Sequence, residues 1–177
     1  PMGWYLTRIL IFAFFLIILG LFFAQIHGPV IGGLLALFCS TYAFWVDIFA
    51  RLGPSEAYAV MGVSIFLIGW LFYLKKKNGW LIWGFITTGM LISTGSKENM
   101  AILFLPFLYL FQDCLRTRPR QRTAAWISFG VSLAWMGWIM VNILLRIRRT
   151  NTDIYYNSAG LTDRLAVVFQ YISGNLF

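Results

Sequence analysis

Charge is scarce in this chain. Asp and Glu number six in 177 residues, and charged residues of both signs make up 11%. A soluble domain of this size cannot cover itself with so few polar groups. There is one histidine, His27, and there are two cysteines, Cys39 and Cys114. A histidine with no partner near it in sequence argues against a metal centre or proton relay. Two unrelated thiols signal neither a disulfide framework nor a thiolate metal site. Also missing are the period-two alternation of outer-membrane strands, internal repeats, and the GxGxxG, P-loop, HExxH and serine-elbow motifs. These absences exclude a soluble enzyme, a nucleic-acid reader and a disordered tail.

What is abundant is apolar. Hydrophobic residues make up 60% of the chain, aromatics 19%, and the mean hydropathy is +0.77. Lipid must be the solvent for most of it. The net charge of +8 would suggest nucleic acid in a soluble protein. Here the Lys and Arg residues sit in short clusters between apolar runs, which is how membrane topology is encoded.

A helix needs about 20 apolar residues to cross a hydrocarbon core. The runs 9–26, 29–49, 57–74 and 124–145 qualify. The first lacks a small-residue cleavage site before His27 and reads as a retained helix, not a signal peptide. Between Lys77 and Arg116 lie two undersized runs, 80–94 and 100–111, separated by Gly95-Ser96-Lys97-Glu98-Asn99. As one helix, this stretch would put Lys97 and Glu98 at mid-membrane and the two main basic loops on opposite faces. As a hairpin, it puts both basic loops on one face, and the positive-inside rule favours that. The Lys75, Lys76, Lys77 cluster and the Arg116, Arg118, Arg120, Arg122 loop are then cytoplasmic. Arg51, Glu56, Lys97, Glu98 and everything after Leu145 face the other side. The second arm, read as about 12 residues, would cover only about 18 Å and hold the elbow below the headgroups. The expected fold is an all-α polytopic transmembrane bundle of about six spans in residues 1–153. Residues 154–177 then form an outer-face interfacial helix or the start of a further span, with Thr162 capping it.

Arg146, Arg148 and Arg149 strain this topology, since they fall on the outer face. Either the helix count is off by one, or these cations are retained there for a purpose, with Asp153 in partial balance. Asp47 and Arg51, four apart, can pair at a helix end. Ionisable groups in or near hydrocarbon default to a functional hypothesis. Lys97 and Glu98, adjacent on a helix, would diverge by about 100° and need separate partners. Two readings of Lys97 stand. It holds a lipid-phosphate oxygen with help from Arg146, Arg148 and Arg149, or it pairs with Glu56 or Arg51 and fixes the packing. His27 and the cysteines read as structural.

An apolar helix, then Ser96-Lys97-Glu98-Asn99, then Met100 to Leu108 with Pro106 inside it, resembles a segment of the GT-C superfamily of membrane glycosyltransferases. The stretch from Trp45 to Glu56 is similar to the aromatic-rich helix that ends in an Arg and a Glu in those enzymes. Leu161-Thr162-Asp163-Arg164-Leu165 with Gln170-Tyr171-Ile172 resembles a later step. The resemblance implies transfer of a sugar from a polyprenyl-phosphate donor to a protein or glycan acceptor on the extracytoplasmic or luminal face. It implies residence in a bacterial inner membrane or an endoplasmic reticulum membrane. The candidate lipid-phosphate residues are Lys97, Glu98, Arg146, Arg148, Arg149 and Arg164. The acidic outer loop that carries the family's catalytic carboxylate has no counterpart here, because the connection from Gln25 to Pro29 is short and has no acid. No catalytic residue is therefore assigned. The chain reads as a fragment of such an enzyme or as a shortened relative without catalysis. No cofactor is expected; some members use a divalent metal, but the few outer carboxylates here do not call for one. The competing classes are a non-catalytic membrane subunit or scaffold and, last, a small transporter.

Overall fold

The computed structural model describes residues 2–41 and 54–150, and the side chains there other than those of Met2, Trp4, Pro54, Glu98 and 144–150. The segments carrying Asp47, Arg51, Asp153 and Arg164, and the expected helix in 154–177, lie outside the described residues. The chain divides into two compact units, Pro1–Met136 and Gly137–Phe177. Among the described residues every element is helical: α1 (Met2–His27), α2 (Pro29–Thr41), α3 (Pro54–Leu74), α4 (Gly79–Ser96), α5 (Phe104–Thr117) and α6 (Arg122–Thr150). Short 3₁₀ segments precede α5 and α6, at Glu98–Leu103 and Pro119–Gln121.

The boundaries follow from local chemistry. Gly28 stops α1 with φ at +95°, a conformation open to glycine at little cost, and its N–H returns to the Ala24 carbonyl at 3.0 Å. Pro29 then opens α2, where a missing N–H costs nothing. Asn78 caps α4 by accepting from the Trp80 N–H at 3.0 Å. Lys97 breaks the chain between α4 and the next 3₁₀ segment with an extended backbone (φ −150°, ψ 124°). Pro106 sits in the first turn of α5, where helices tolerate it. The C-terminal carbonyl of Leu115 accepts from Arg122 Nε and Nη2 at 3.1 and 2.7 Å.

The first unit is a bundle whose outward surface is rich in apolar side chains. Ile9, Ile17, Val30, Leu34, Phe38 and Leu105 are all exposed. Its buried polar residues include Ser64, Ser93, Thr94, Ser128 and Ser132. A surface of this kind is compatible with a membrane protein. Among the described residues four helices are long and apolar enough to cross a membrane: Tyr5–His27, Ser55–Leu74, Asn99–Thr117 and Pro119–Ile143. The described part of α2 is shorter.

Half of helix α4 is Gly, Ser and Thr. Much of it faces protein, since Ile82, Trp83, Ile86, Gly89, Met90, Ser93 and Thr94 are all buried. It packs closely against α3. A Cβ on Gly89 would lie 2.3 Å from the Phe66 nitrogen, and one on Gly62 would lie 2.5 Å from the Ser93 nitrogen. Small residues at such a seam let two backbones approach. Helices α1 and α2 meet in the same way, with Gly32 against Gly20 and Ala24.

The elbow at Lys97 is a reversal. Tyr73 at the end of α3 donates to Asp113 near the end of α5 at 2.6 Å. Gln121 Nε2 donates to the Lys77 carbonyl at 3.3 Å. The two basic loops therefore share one end of the unit, as the hairpin reading expects. The arm after the elbow is longer than expected. Six 3₁₀ residues and 14 α-helical residues follow it, which is about 33 Å at the usual rises. The polar residues Gln112, Asp113 and Arg116 mask that length in the sequence, because they belong to the helix and not to the loop. The elbow thus precedes an arm, Asn99–Thr117, that is long and apolar enough to cross a membrane.

Candidate functional site

The end opposite the basic loops brings Glu56 and Lys97 together. Serine at position 55 and Glu56 open α3, Ser93 and Ser96 close α4, and Lys97 follows at the break. Because Lys97 leaves the helix there, its side chain is free to cross to α3. Its Nζ meets Glu56 Oε1 at 2.5 Å. The other carboxylate oxygen accepts from Ser55 Oγ at 2.9 Å. Ser93 Oγ donates to the Ala59 carbonyl at 2.6 Å and ties the two helices one turn deeper. The side chains of Lys97 and Glu56 are 38% and 30% exposed, so the pair is open at the mouth of the bundle. Open pairs hold little folding energy, and an approaching anion can compete for the cation.

The same end holds a residue that sequence reasoning passed over. Arg8 is only 3% exposed. It lies a turn before Ile11 and Phe12, which pack on the cluster of Phe15, Ala57 and Val60. A guanidinium enclosed in a membrane bundle is costly and marks a place where charge is wanted. Its signal was present: a lone arginine one residue before an 18-residue apolar run.

Of the sequence-derived candidates, the structure brings Lys97 together with Glu56, the partner named for it in the packing reading. Arg146, Arg148 and Arg149 lie on the backbone of α6 in the second unit, beyond the described side chains. Arg164 lies outside the described residues, and so does the Asp47–Arg51 pair. Among the described residues no three His, Cys, Asp or Glu side chains gather as a metal site.

A seam of hydroxyls runs from this end along α4 and α6. Trp135 Nε1 donates to Thr94 Oγ1 at 3.1 Å, and Thr87 Oγ1 meets Ser128 Oγ at 2.5 Å. Ser132, fully buried between them in sequence, has no hydrogen-bond partner for its hydroxyl. This seam joins α4 to α6. Comparison with protein-family models, with curated proteins and with solved structures finds no match.

Proposed function

We propose that this chain is the membrane-embedded helical core, or part of the core, of a glycosyltransferase that takes a sugar from a polyprenyl-phosphate donor. The carrying observation is the Lys97–Glu56 pair, a cation held open to its surroundings at the end of the bundle away from the basic loops. In this reading α1 to α6 make six crossings, and the elbow faces the extracytoplasmic or luminal side of an inner or endoplasmic reticulum membrane. Glu56 is the counter-ion of Lys97 in the empty state. A donor phosphate displaces it and takes the ammonium as a point charge. As the acceptor oxygen bonds to the anomeric carbon and the carbon–oxygen bond to the phosphate breaks, Lys97 stabilises the charge left on the lipid phosphate. The acceptor, a protein or glycan hydroxyl, gives its proton to a base that we leave unassigned. Glu98, Arg146, Arg148, Arg149 and Arg164 are the further donor-site candidates.

Sugar transfer by the full-length protein, measured with Lys97→Ala, tests this. Removing a charge-stabilising group of this type lowers turnover by about 10²–10³-fold. Unchanged turnover with unchanged donor affinity removes Lys97 from the site.

One observation favours a second reading, in which the chain is a non-catalytic integral-membrane subunit or scaffold. Glu56 neutralises Lys97 within the chain itself, as a packing pair requires. Glu56→Gln separates the two. If Lys97 serves a donor, the variant binds donor at least as tightly as the parent. If the pair only fixes packing, the variant loses thermal stability and gains no donor affinity.

A further inference from the structure

We propose that the opposite end of the bundle, where the 75–77 turn meets the 116–122 loop, is a binding site for the phosphate of an anionic phospholipid. Lys75, Lys76, Lys77, Arg116, Arg120 and Arg122 are all exposed there. Among the described residues one carboxylate lies beside them, Asp113, which keeps its charge while accepting from the Tyr73 hydroxyl at 2.6 Å, so with Arg118 seven cations face a single acid. The cations therefore stand with little internal neutralisation.

Two details go beyond a charged rim. Arg118 lies flat on Tyr73, with its guanidinium carbon 3.6 Å from the ring centroid, and its Nη1 is buried without an acceptor. Such a donor is costly to leave unmet, and a planar guanidinium matches phosphate geometry. Lys76 is the second. Its N–H returns to the Tyr73 carbonyl and the Lys77 N–H to the Phe72 carbonyl, both at 3.1 Å, closing α3 in a helix-ending motif. The residue at that point has φ at 53°, where glycine is the unstrained choice. A lysine is held there against its backbone preference, which points to a use for its charge.

The scaffold is set before any ligand arrives. Gln121 bridges to the Lys77 carbonyl, and a Cβ on Gly79 would lie 2.8 Å from the Gln121 side chain, so the two loops are packed together. Trp80 and Trp126, each near the start of its helix, are exposed at this end. Exposed tryptophans at helix ends mark the headgroup level. A phosphate at that depth reaches the 75–77 turn, and a swing of the Arg118 guanidinium off Tyr73 gives its covered Nη1 an acceptor there.

The test uses the full chain in nanodiscs of phosphatidylcholine, with and without phosphatidylglycerol, read by lipid retention in native mass spectrometry and by thermal unfolding. The parent retains phosphatidylglycerol over phosphatidylcholine and unfolds at a higher temperature in its presence, and added salt weakens both effects. Lys76→Gly removes a charge while relieving the backbone, so it keeps its unfolding temperature in phosphatidylcholine. Its phosphatidylglycerol retention falls by about fivefold, the usual effect of one cation near a membrane surface. Arg118→Gln loses at least as much. Equal retention of the two lipids by the parent overturns the proposal. Retention by either variant that matches the parent's overturns the site as assigned.

Discussion

Glu56 and Lys97 stand 41 positions apart in the chain, and nothing local in the sequence selects one as the partner of the other. The sequence supplied the pair as one of two readings, because a cation at a membrane mouth needs a counter-charge. It also expected an elbow within 95–99; what it could not supply is that the helix ends just before Lys97, which frees that side chain from a register shared with Glu98. Arg8 was equally hard to place, since flank and core positions look alike at the start of an apolar run. A double-mutant cycle with Glu56→Gln and Lys97→Ala, followed by thermal unfolding, should give a coupling of about 0.2–1 kcal/mol, as for other exposed pairs. The glycines separate in a similar way. Nothing lies within 4 Å of a Cβ built on Gly84, whereas one on Gly89 would strike the α3 backbone. Gly84→Ala should raise stability by about 0.5–1 kcal/mol, and Gly89→Ala should lower it by about 2 kcal/mol. Unfolding of the two variants in the same detergent checks both signs.

Among the elements, α4 shows most clearly what hydropathy misses. Its Ser, Thr and Gly residues made it look undersized, yet they are the residues that pack it into the bundle. Gly20 and Ala24, Gly32 and Ala36, and Gly89 and Ser93 each fall four apart, a spacing that puts a small face on one side of a helix. That signal was legible and is realised at the α1–α2 and α3–α4 seams. The aromatic contacts were not legible, because they join distant segments. Phe129 of α6 stacks on Phe111 at 4.7 Å and on Phe107 at 6.4 Å, while Trp126 meets Phe111 edge-on at 4.9 Å. Phe129→Ala removes the ring common to both stacks and should cost about 3 kcal/mol, seen as a lower unfolding temperature. Asn78→Ala deletes the α4 cap and should cost about 1 kcal/mol by the same measurement.

For the whole molecule, two poles organise the first unit: a basic end and an end where Glu56, Lys97 and the buried Arg8 gather. The basic clusters alone pointed to this polarity, because two loops of the same sign on one face require the intervening stretch to turn back. The contacts of Tyr73 with Asp113 and of Gln121 with Lys77 bear out the turn. The length of the returning arm was misjudged for a physical reason, since Gln112, Asp113 and Arg116 continue a helix that composition alone ends at Phe111. Every functional statement about Lys97 depends on which side of the membrane it meets. The most direct measurement is labelling of single cysteines at Lys77, Arg120 and Lys97, in a chain with Cys39 and Cys114 replaced, using an impermeant reagent on sealed oriented vesicles. Positions 77 and 120 should label together from the cytoplasmic side and position 97 only from the other. Labelling of position 97 from the cytoplasmic side, together with 77 and 120, would contradict the account.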